Sequence, residues 1–234
     1  MKAICLFDLH IPYNDKELTD KTLKLIKANN FDEIILGGDA IDCNQLSKFV
    51  CYESKQLQLN EELKLLKDFI IELKKISDAK IIYLGCNHFV DRLNRILYEN
   101  SITEFVNIKD YVEKELGVDE YVDYNVPYFP FNQNKVACIH GFKHSKYFTA
   151  QYTQLYTYDI VCGHTHTFQR YSSENGVNGY GVGCMCEDMA YMRNKPVRWR
   201  KGVCIINYNK YLDEHFIEML EYKKGTLFYK GDYY

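Results

Sequence analysis

Acids, an amide and imidazoles stand where short apolar runs of this chain stop. "AICLFD" (3–8) leads into Asp8-Leu9-His10, "EIILGGD" (33–39) ends in Asp39, and "KIIYLGCN" (80–87) leads into Asn87-His88. "KVACIHG" (135–141) carries His140, and "DIVCGHTH" (159–166) ends in His164-Thr165-His166. Five of the seven histidines fall at these ends. Oxygen and imidazole donors without thiolate suit Mn²⁺, Fe, Zn²⁺ and related ions. Residues i and i+2 of a strand share a face with Cα atoms about 6.6 Å apart, so His164 and His166 fit neighbouring ions better than a single one. Two-ion sites hold their ions about 3.5–4 Å apart and admit a bridging carboxylate. Asp39, alone after Gly37-Gly38, is the best bridge.

The elements that must carry these residues are legible around them. Continuous β-branched runs, with "GVCIINY" (202–208) as a sixth, fit strands buried on both faces. Between the early runs lie helical patterns. The clearer spans 60–76, with Leu63, Leu66, Ile70 and Leu73 on one face, Asn60 at a candidate N-cap, and Glu61 and Glu62 where the helix dipole favours acids. A shorter helix is expected over 16–28. Strand alternating with helix predicts an α/β fold, in which ligands bind at the carboxyl ends of strands. Beyond residue 200, "HFIEMLEY-KKG-TLFYKG" reads as a hairpin turning at Lys224-Gly225, so mixed or antiparallel sheet is expected there. No repeat and no Gly/Ser-rich linker divides the chain, which predicts one domain over 1–234.

Composition narrows the class further. Of 234 residues, 47% are apolar and 26% charged, which is the ordinary globular range. The net charge of −3 gives no overall attraction to nucleic acid or an anionic membrane, so such binding would need a local patch. No apolar run approaches the roughly 18 residues of a membrane span, and the N-terminus, with Asp8 inside its apolar stretch, reads as a strand rather than a signal peptide. Nine scattered cysteines with no secretion signal point to reduced thiols in a cytoplasmic protein. The one tight pair, Cys184-Met185-Cys186, has no second pair to make a zinc knuckle. The 21 tyrosines read first as compositional bias.

The series Asp8-x-His10, Gly38-Asp39-x-x-Asp42, Asn87-His88, His140-Gly141 and Gly163-His164-x-His166 resembles the calcineurin-like metallophosphoesterase superfamily, with all five blocks in order. "IDCNQLSKF", "GCMCEDMAYM", "RWRKG" and "LFYKGDYY" resemble a phage-type branch of it, which would put the protein in a host cytoplasm. The resemblance implies a sandwich of two mixed β-sheets flanked by helices, with a dinuclear metal site at strand C-terminal ends. It implies that Asp8, His10 and His166 hold one ion, that Asp39 bridges, and that Asn87, His140 and His164 hold the other. His88 would protonate the leaving group. Mn²⁺ is the first choice of metal, with Fe, Zn, Ni or Co as others. Two divalent ions with two carboxylates and a bridging hydroxide keep about one positive charge, which suits a phosphate ester anion. That hydroxide exists near neutral pH and attacks phosphorus in line. Of the set, His88 alone can give a proton near pH 7 without being committed to metal.

Departures from the pattern shape the substrate expectation. In "GCNHFVDR", Cys86 replaces the glycine before Asn87 and Phe89 the acid after His88, with Asp91 as a candidate substitute. Arginines common to protein phosphatases are absent after Asp42, where Cys43 stands, and before Asn87. Asp42 either orients a ligand or caps a helix starting near residue 43. His144, four residues after His140, is a candidate substrate contact or a loop residue; His215 carries no expected role. "RNKPVRWRK" (193–201) gathers five basic residues around Trp199, either a nucleic-acid contact through Arg198, Trp199 and Arg200 or a solvated loop with Trp199 packed inward. The expected function is hydrolysis of a phosphate ester, foremost a phosphodiester in nucleic acid or a nucleotide. The runner-up is a phosphomonoesterase acting on nucleotides or phosphoproteins; a binding protein with a degraded site, and a homo-oligomer built through the 60–76 helix, are further readings.

Overall fold

The computed structural model describes residues 1–48, 57–189 and 197–234. Each apolar run forms a strand that stops short of its polar end. β1 (Lys2–Leu6), β2 (Glu33–Leu36), β3 (Lys80–Leu84) and β4 (Glu120–Val122) are parallel neighbours in one sheet. In a second sheet, β5 (Val136–Ile139), β6 (Asp159–Cys162), β7 (Gln169–Ser172) and β8 (Asn178–Gly181) take the order β5-β6-β8-β7, with only β7 antiparallel to its neighbour. β9 (Gly202–Asn209) returns antiparallel to β1, and β10 (Glu214–Glu221) forms the outer edge beside it. Both sheets are therefore mixed.

Strand periodicity decides the layers. Ile4, Leu6, Ile34, Leu36 and Ile81 face one way, onto Leu18 and Leu25 of α1 (Lys16–Ala28) and Leu66, Ile70 and Leu73 of α2 (Leu59–Ile76). The alternate residues Cys5, Phe7, Ile35 and Ile82 face Val136, Cys138, Val161 and Val182 of the second sheet. That sheet covers its outer face with Phe148 and Tyr152 of α5 (Phe148–Leu155). Each such side chain contributes about 1.5–3 kcal/mol on burial, so the two-sheet sandwich is held by its own strand sequences. Between β3 and β4 in chain order come α3 (Arg92–Glu99) and the short α4 (Ile108–Asp110), which runs on into a π-helical turn (Tyr111–Leu116). Among the described residues no helix is long and apolar enough to cross a membrane.

Two local expectations need correction. α2 starts one residue before the expected span: Gln58 is its cap, and its amide donates to Oε2 of Glu61 (2.7 Å) in a capping box. Asn60 lies inside the helix, because the reciprocal box satisfies two end donors where a single Asn side chain would satisfy one. The turn at Lys224-Gly225 forms, bridged by Lys223 and Thr226, but its arms do not pair as one hairpin. β10 spends its hydrogen bonds on β9, whereas β11 (Phe228–Tyr229) pairs with β12 (Asp232–Tyr233). Leu227 and Tyr229 go into the core instead, which fixes the chain's path after the turn.

One buried acid joins α2 to the loop after β2. Glu62 is 2% exposed and accepts the Cys43 amide (2.8 Å). Burial first, and then the nearby Asp42 charge, push its carboxyl up to about 7. The folded state therefore holds a proton that the unfolded chain releases above the usual carboxylate range, so stability falls as pH rises through the interval up to about 7. The loss is on the order of 3 kcal/mol. Glu62→Gln should abolish this decline: denaturant midpoints measured from acidic pH to above 7 should flatten relative to the parent. Parallel curves would contradict the assignment.

Candidate metal centre

Left-handed backbone turns the chain sharply at the strand ends. Asp8 (φ 53°), His10 (47°), Asp39 (44°), His164 (69°) and His166 (56°) all lie in the region that disfavours residues with a Cβ. Such positions cost about 1 kcal/mol or more each and persist only where surroundings over-determine them. Here the loops are stitched together: the His10 amide donates to the Asp39 carbonyl (2.7 Å), Asp8 N to Gly38 O (3.1 Å) and Gly163 N to His140 O (3.1 Å). Gly38 is required by contact as well as by its φ of 96°, since a Cβ there would fall 2.4 Å from the His140 ring. A Cβ on Gly163 would fall 2.5 Å from Asp8 Oδ2. His164 and His166 are thus past the end of β6, in a loop and not on the strand face expected for them.

The turns aim donor atoms at two adjoining points. At the first, His10 Nε2 and His166 Nε2 are 3.2 Å apart, and Asp8 Oδ1 lies 3.4 Å from His166 Nε2 and 4.0 Å from His10 Nε2. Asp8 Oδ1 is buried without a hydrogen bond. At the second, His140 Nε2 lies 2.9 Å from Asn87 Oδ1 and 3.2 Å from His164 Nδ1. Asp39 Oδ2 stands between the two points, 3.2 Å from His140 Nε2 and 3.8 Å from His10 Nε2. Seven of the residues singled out from sequence are thereby brought together.

Neighbours fix which nitrogen of each ring faces inward. His10 Nδ1 meets Asp42 Oδ1 (2.9 Å), His140 Nδ1 meets the Gly37 carbonyl (3.3 Å), and His166 Nδ1 is 3.8 Å from Cys186 Sγ. Partners of this kind set the tautomer and hold the opposite nitrogen toward a ligand. Asp42 thus orients rings instead of capping: the turn at Asn44–Leu46 begins at Cys43 with no side-chain cap. Among the described residues, three sets of donors lie within 4.8 Å of one another: His10-Asp39-His88, Asp39-His140-His164 and His10-His166-Cys186. An orphaned buried carboxylate oxygen facing imidazole lone pairs is a donor set that fits divalent cations.

His88 lies in the first turn of a π-helical segment (Asn87–Asp91) and reaches the centre from outside. Its amide donates to Asp39 Oδ1 (3.2 Å), its Nδ1 lies 2.9 Å from the Asp42 carbonyl, and its Nε2 is 3.8 Å from Asp39 Oδ2. Burial works against a charge on this ring, but the Asp39 and Asp42 carboxylates raise it above the ordinary histidine range. Arg92, missed by sequence reasoning, sits one helical turn on: it donates to the Asp42 carbonyl (2.7 Å), and its Nη2 is 3.2 Å from His88 Nε2. The i, i+4 spacing was the available signal. Cys186 was the other omission, read as part of a failed zinc pair.

The remaining candidates separate. Phe89 and Cys86 pack into the core, and Asp91 is exposed, away from the donor cluster. His144 is exposed with Nε2 3.1 Å from His164 Nε2. Arg198 and Trp199 line a groove of about 610 Å³ with His144 and Lys146. Trp199 packs its ring edge-on against His166 (4.3 Å between centroids), and Arg200 is paired with Glu221. Residues 193–196 of the basic segment, 190–192 of "GCMCEDMAYM", Phe49 and Cys51 lie outside the described residues. The eight described cysteines are buried free thiols.

Against solved structures, the chain is similar to Vps29 of Entamoeba histolytica. A single-site variant of that protein matches with a TM-score of 0.51 at 12% identity, over 100% of this chain and 96% of that one. The wild-type protein in complex with zinc gives 0.50 at 11% identity with the same coverage. The fold is the metallophosphoesterase fold. Nuclease MPE of Pseudomonas putida matches more loosely, with a TM-score of 0.43 at 12% identity over 92% of this chain and 87% of that one. No protein-family model matches the sequence, and no curated protein does.

Without a cation, a proton does the work of holding the first point together. Burial opposes a charge on His166, yet the adjacent Asp8 carboxylate pushes the ring up to about 10. Burial keeps His10 below the ordinary range, so its Nε2 accepts from its neighbour. A metal ligand must be deprotonated, so cation binding must expel that proton below about pH 10. Calorimetry with Mn²⁺ in buffers of differing ionisation enthalpy should therefore report protons released on binding near pH 7, from His166 and from His140, which the Asp39 carboxylate also raises, and affinity rising with pH. Binding without proton release would contradict this.

Proposed function

We propose that the protein hydrolyses phosphate esters with two divalent metal ions, and that its substrate is a phosphodiester in nucleic acid or a nucleotide. The observation that carries the reading is the place of Asp39 Oδ2, 3.2 Å from His140 Nε2 and 3.8 Å from both His10 Nε2 and His88 Nε2. One carboxylate oxygen there can belong to both donor sets while the His88 ring stays within reach. Asp8, His10 and His166 would hold one ion, Asn87, His140 and His164 the other, and Asp39 both. Mn²⁺ is the ion we expect, with Fe, Zn, Ni and Co as alternatives of the same donor preference. Divalent ions bound there supply an activated water and neutralise charge on the phosphoryl oxygens.

The chain's own residues then divide the work. Asp42 holds His10 and His88 by their Nδ1 atoms, which leaves each Nε2 directed inward. A guanidinium can only donate, so while Arg92 faces His88 Nε2 that nitrogen accepts and carries no proton. Phosphate oxygens are better acceptors for Arg92, and its move to substrate frees Nε2 to take up a proton from solvent. His88, raised by its two carboxylate neighbours, then gives that proton to the departing oxygen. Arg92 also supplies a phosphate-gripping group of the kind that a monoesterase needs, which keeps phosphomonoester hydrolysis as the second reading. The Arg198–His144 groove beside His164 favours a substrate that continues past the scissile phosphate.

After EDTA treatment and Mn²⁺ addition, bis-p-nitrophenyl phosphate should be hydrolysed faster than p-nitrophenyl phosphate. Asp39→Ala and His88→Ala should each lower kcat, the latter by about 10²–10⁴-fold. Faster monoester turnover would select the second reading. No turnover with any divalent ion despite bound metal would favour a binding protein.

A further inference from the structure

A second groove leaves the centre on the other side of the sandwich. It encloses about 450 Å³ and opens at Asn87, with Arg92, Asn94, Arg95 and Tyr98 of α3 and Lys48 along its walls. It shares no lining residue with the groove of His144 and Arg198, which starts from the loops of the second sheet. Each has the capacity of a small-ligand pocket, about 300–1,000 Å³. The cations Lys48, Arg92 and Arg95 outnumber the single acid of the lining, Asp91; Arg95 donates to the Leu46 carbonyl (2.7 Å) and meets Glu99 only at a part-exposed 3.7 Å, a pair that a phosphate can displace. From Arg92 to Tyr98 the helix covers about 9 Å, with an aromatic ring 80% exposed at the far end.

We infer that this groove binds the nucleotides on one side of the scissile phosphate of a single-stranded nucleic acid, so that the protein cuts internal phosphodiester bonds. The inference rests on the phosphodiesterase reading and names its substrate. A basic groove ending in an exposed aromatic side chain is the arrangement that tracks a backbone and stacks an unpaired base. Arg92 stands where the reacting phosphate meets the groove, Arg95 one turn on meets the next phosphate, and Tyr98 stacks a base. The other groove, with Arg198 and Lys146 exposed and Arg198 in no ion pair among the described residues, takes the strand leaving past His164. A terminal phosphate or a free nucleotide would occupy only one of the two, and a duplex offers no unpaired base to Tyr98.

Two measurements test it. In EDTA, where catalysis plays no part, fluorescence anisotropy of a labelled oligothymidylate of about a dozen residues reads binding alone, and the substitutions below assign it to this groove. Tyr98→Ala should weaken binding about tenfold, the loss of one stacked base, and Arg95→Ala should both weaken it and lower the salt dependence, which Arg95→Lys restores. With Mn²⁺, closed circular single-stranded DNA, which has no ends, should be linearised. Unchanged anisotropy in Tyr98→Ala and Arg95→Ala, or an intact circle beside linear strands shortened from their ends, would overturn the inference. Failure to hydrolyse bis-p-nitrophenyl phosphate would instead count against the phosphodiesterase reading, and the EDTA measurement would still judge the groove.

Discussion

Two buried carboxylates and five imidazoles are held facing one another with too few hydrogens between them, and that electrostatic tension governs the architecture of this protein. Asp8 Oδ1 has no hydrogen bond, and the Nε2 atoms of His10 and His166 point at each other across 3.2 Å. Buried groups so arranged are costly unless a cation or a proton lies among them. The protein meets that cost with rigidity: five of these residues adopt left-handed backbone, stitched by main-chain hydrogen bonds between loops of both sheets. Glycines remove the Cβ atoms that would displace His140 and Asp8. The sandwich itself serves this end, since only a packed sheet pair brings β1, β2, β3, β5 and β6 to one edge.

Orientation is delegated to a layer behind the donors. Asp42 serves both His10 and His88, so a single carboxylate ties the inner ring to the ring at the mouth of the site. Glu62 in turn holds the Cys43 amide next to Asp42, linking α2 to the centre through two residues. Behind His166 stands the Cys186 sulfur, a thiol that burial keeps protonated and uncharged where Asp42 is a carboxylate. The two donor points thus differ in what backs them.

Much of this was legible in the sequence, for physical reasons. Strands buried on both faces write themselves as unbroken apolar runs, so the donors at their ends could be counted before any coordinates. α1 matched its expected span because Asp15, its amphipathic face and the break after Ala28 agree. Less legible was whatever depends on a turn or a distant partner. His164-x-His166 looks like strand spacing, but Gly163 and two left-handed residues make it a loop. Cys186 is apolar by composition and meets His166 only because the loop after β8 passes behind that ring. Arg92 lay four residues beyond an irregular motif, and the π-helical turn that carries it to His88 has no period of its own in the sequence. The expected terminal hairpin failed because β9, distant in that reading, competes for the same edge.

The central claim is that Asp39 is shared by two cations. Crystals of the protein soaked in Mn²⁺ and measured near the manganese edge would test it most directly. The account predicts two anomalous peaks about 3.5–4 Å apart, one beside Asp8, His10 and His166 and one beside Asn87, His140 and His164, with Asp39 Oδ2 between them. A single peak away from Asp39, or none at saturating metal, would contradict it.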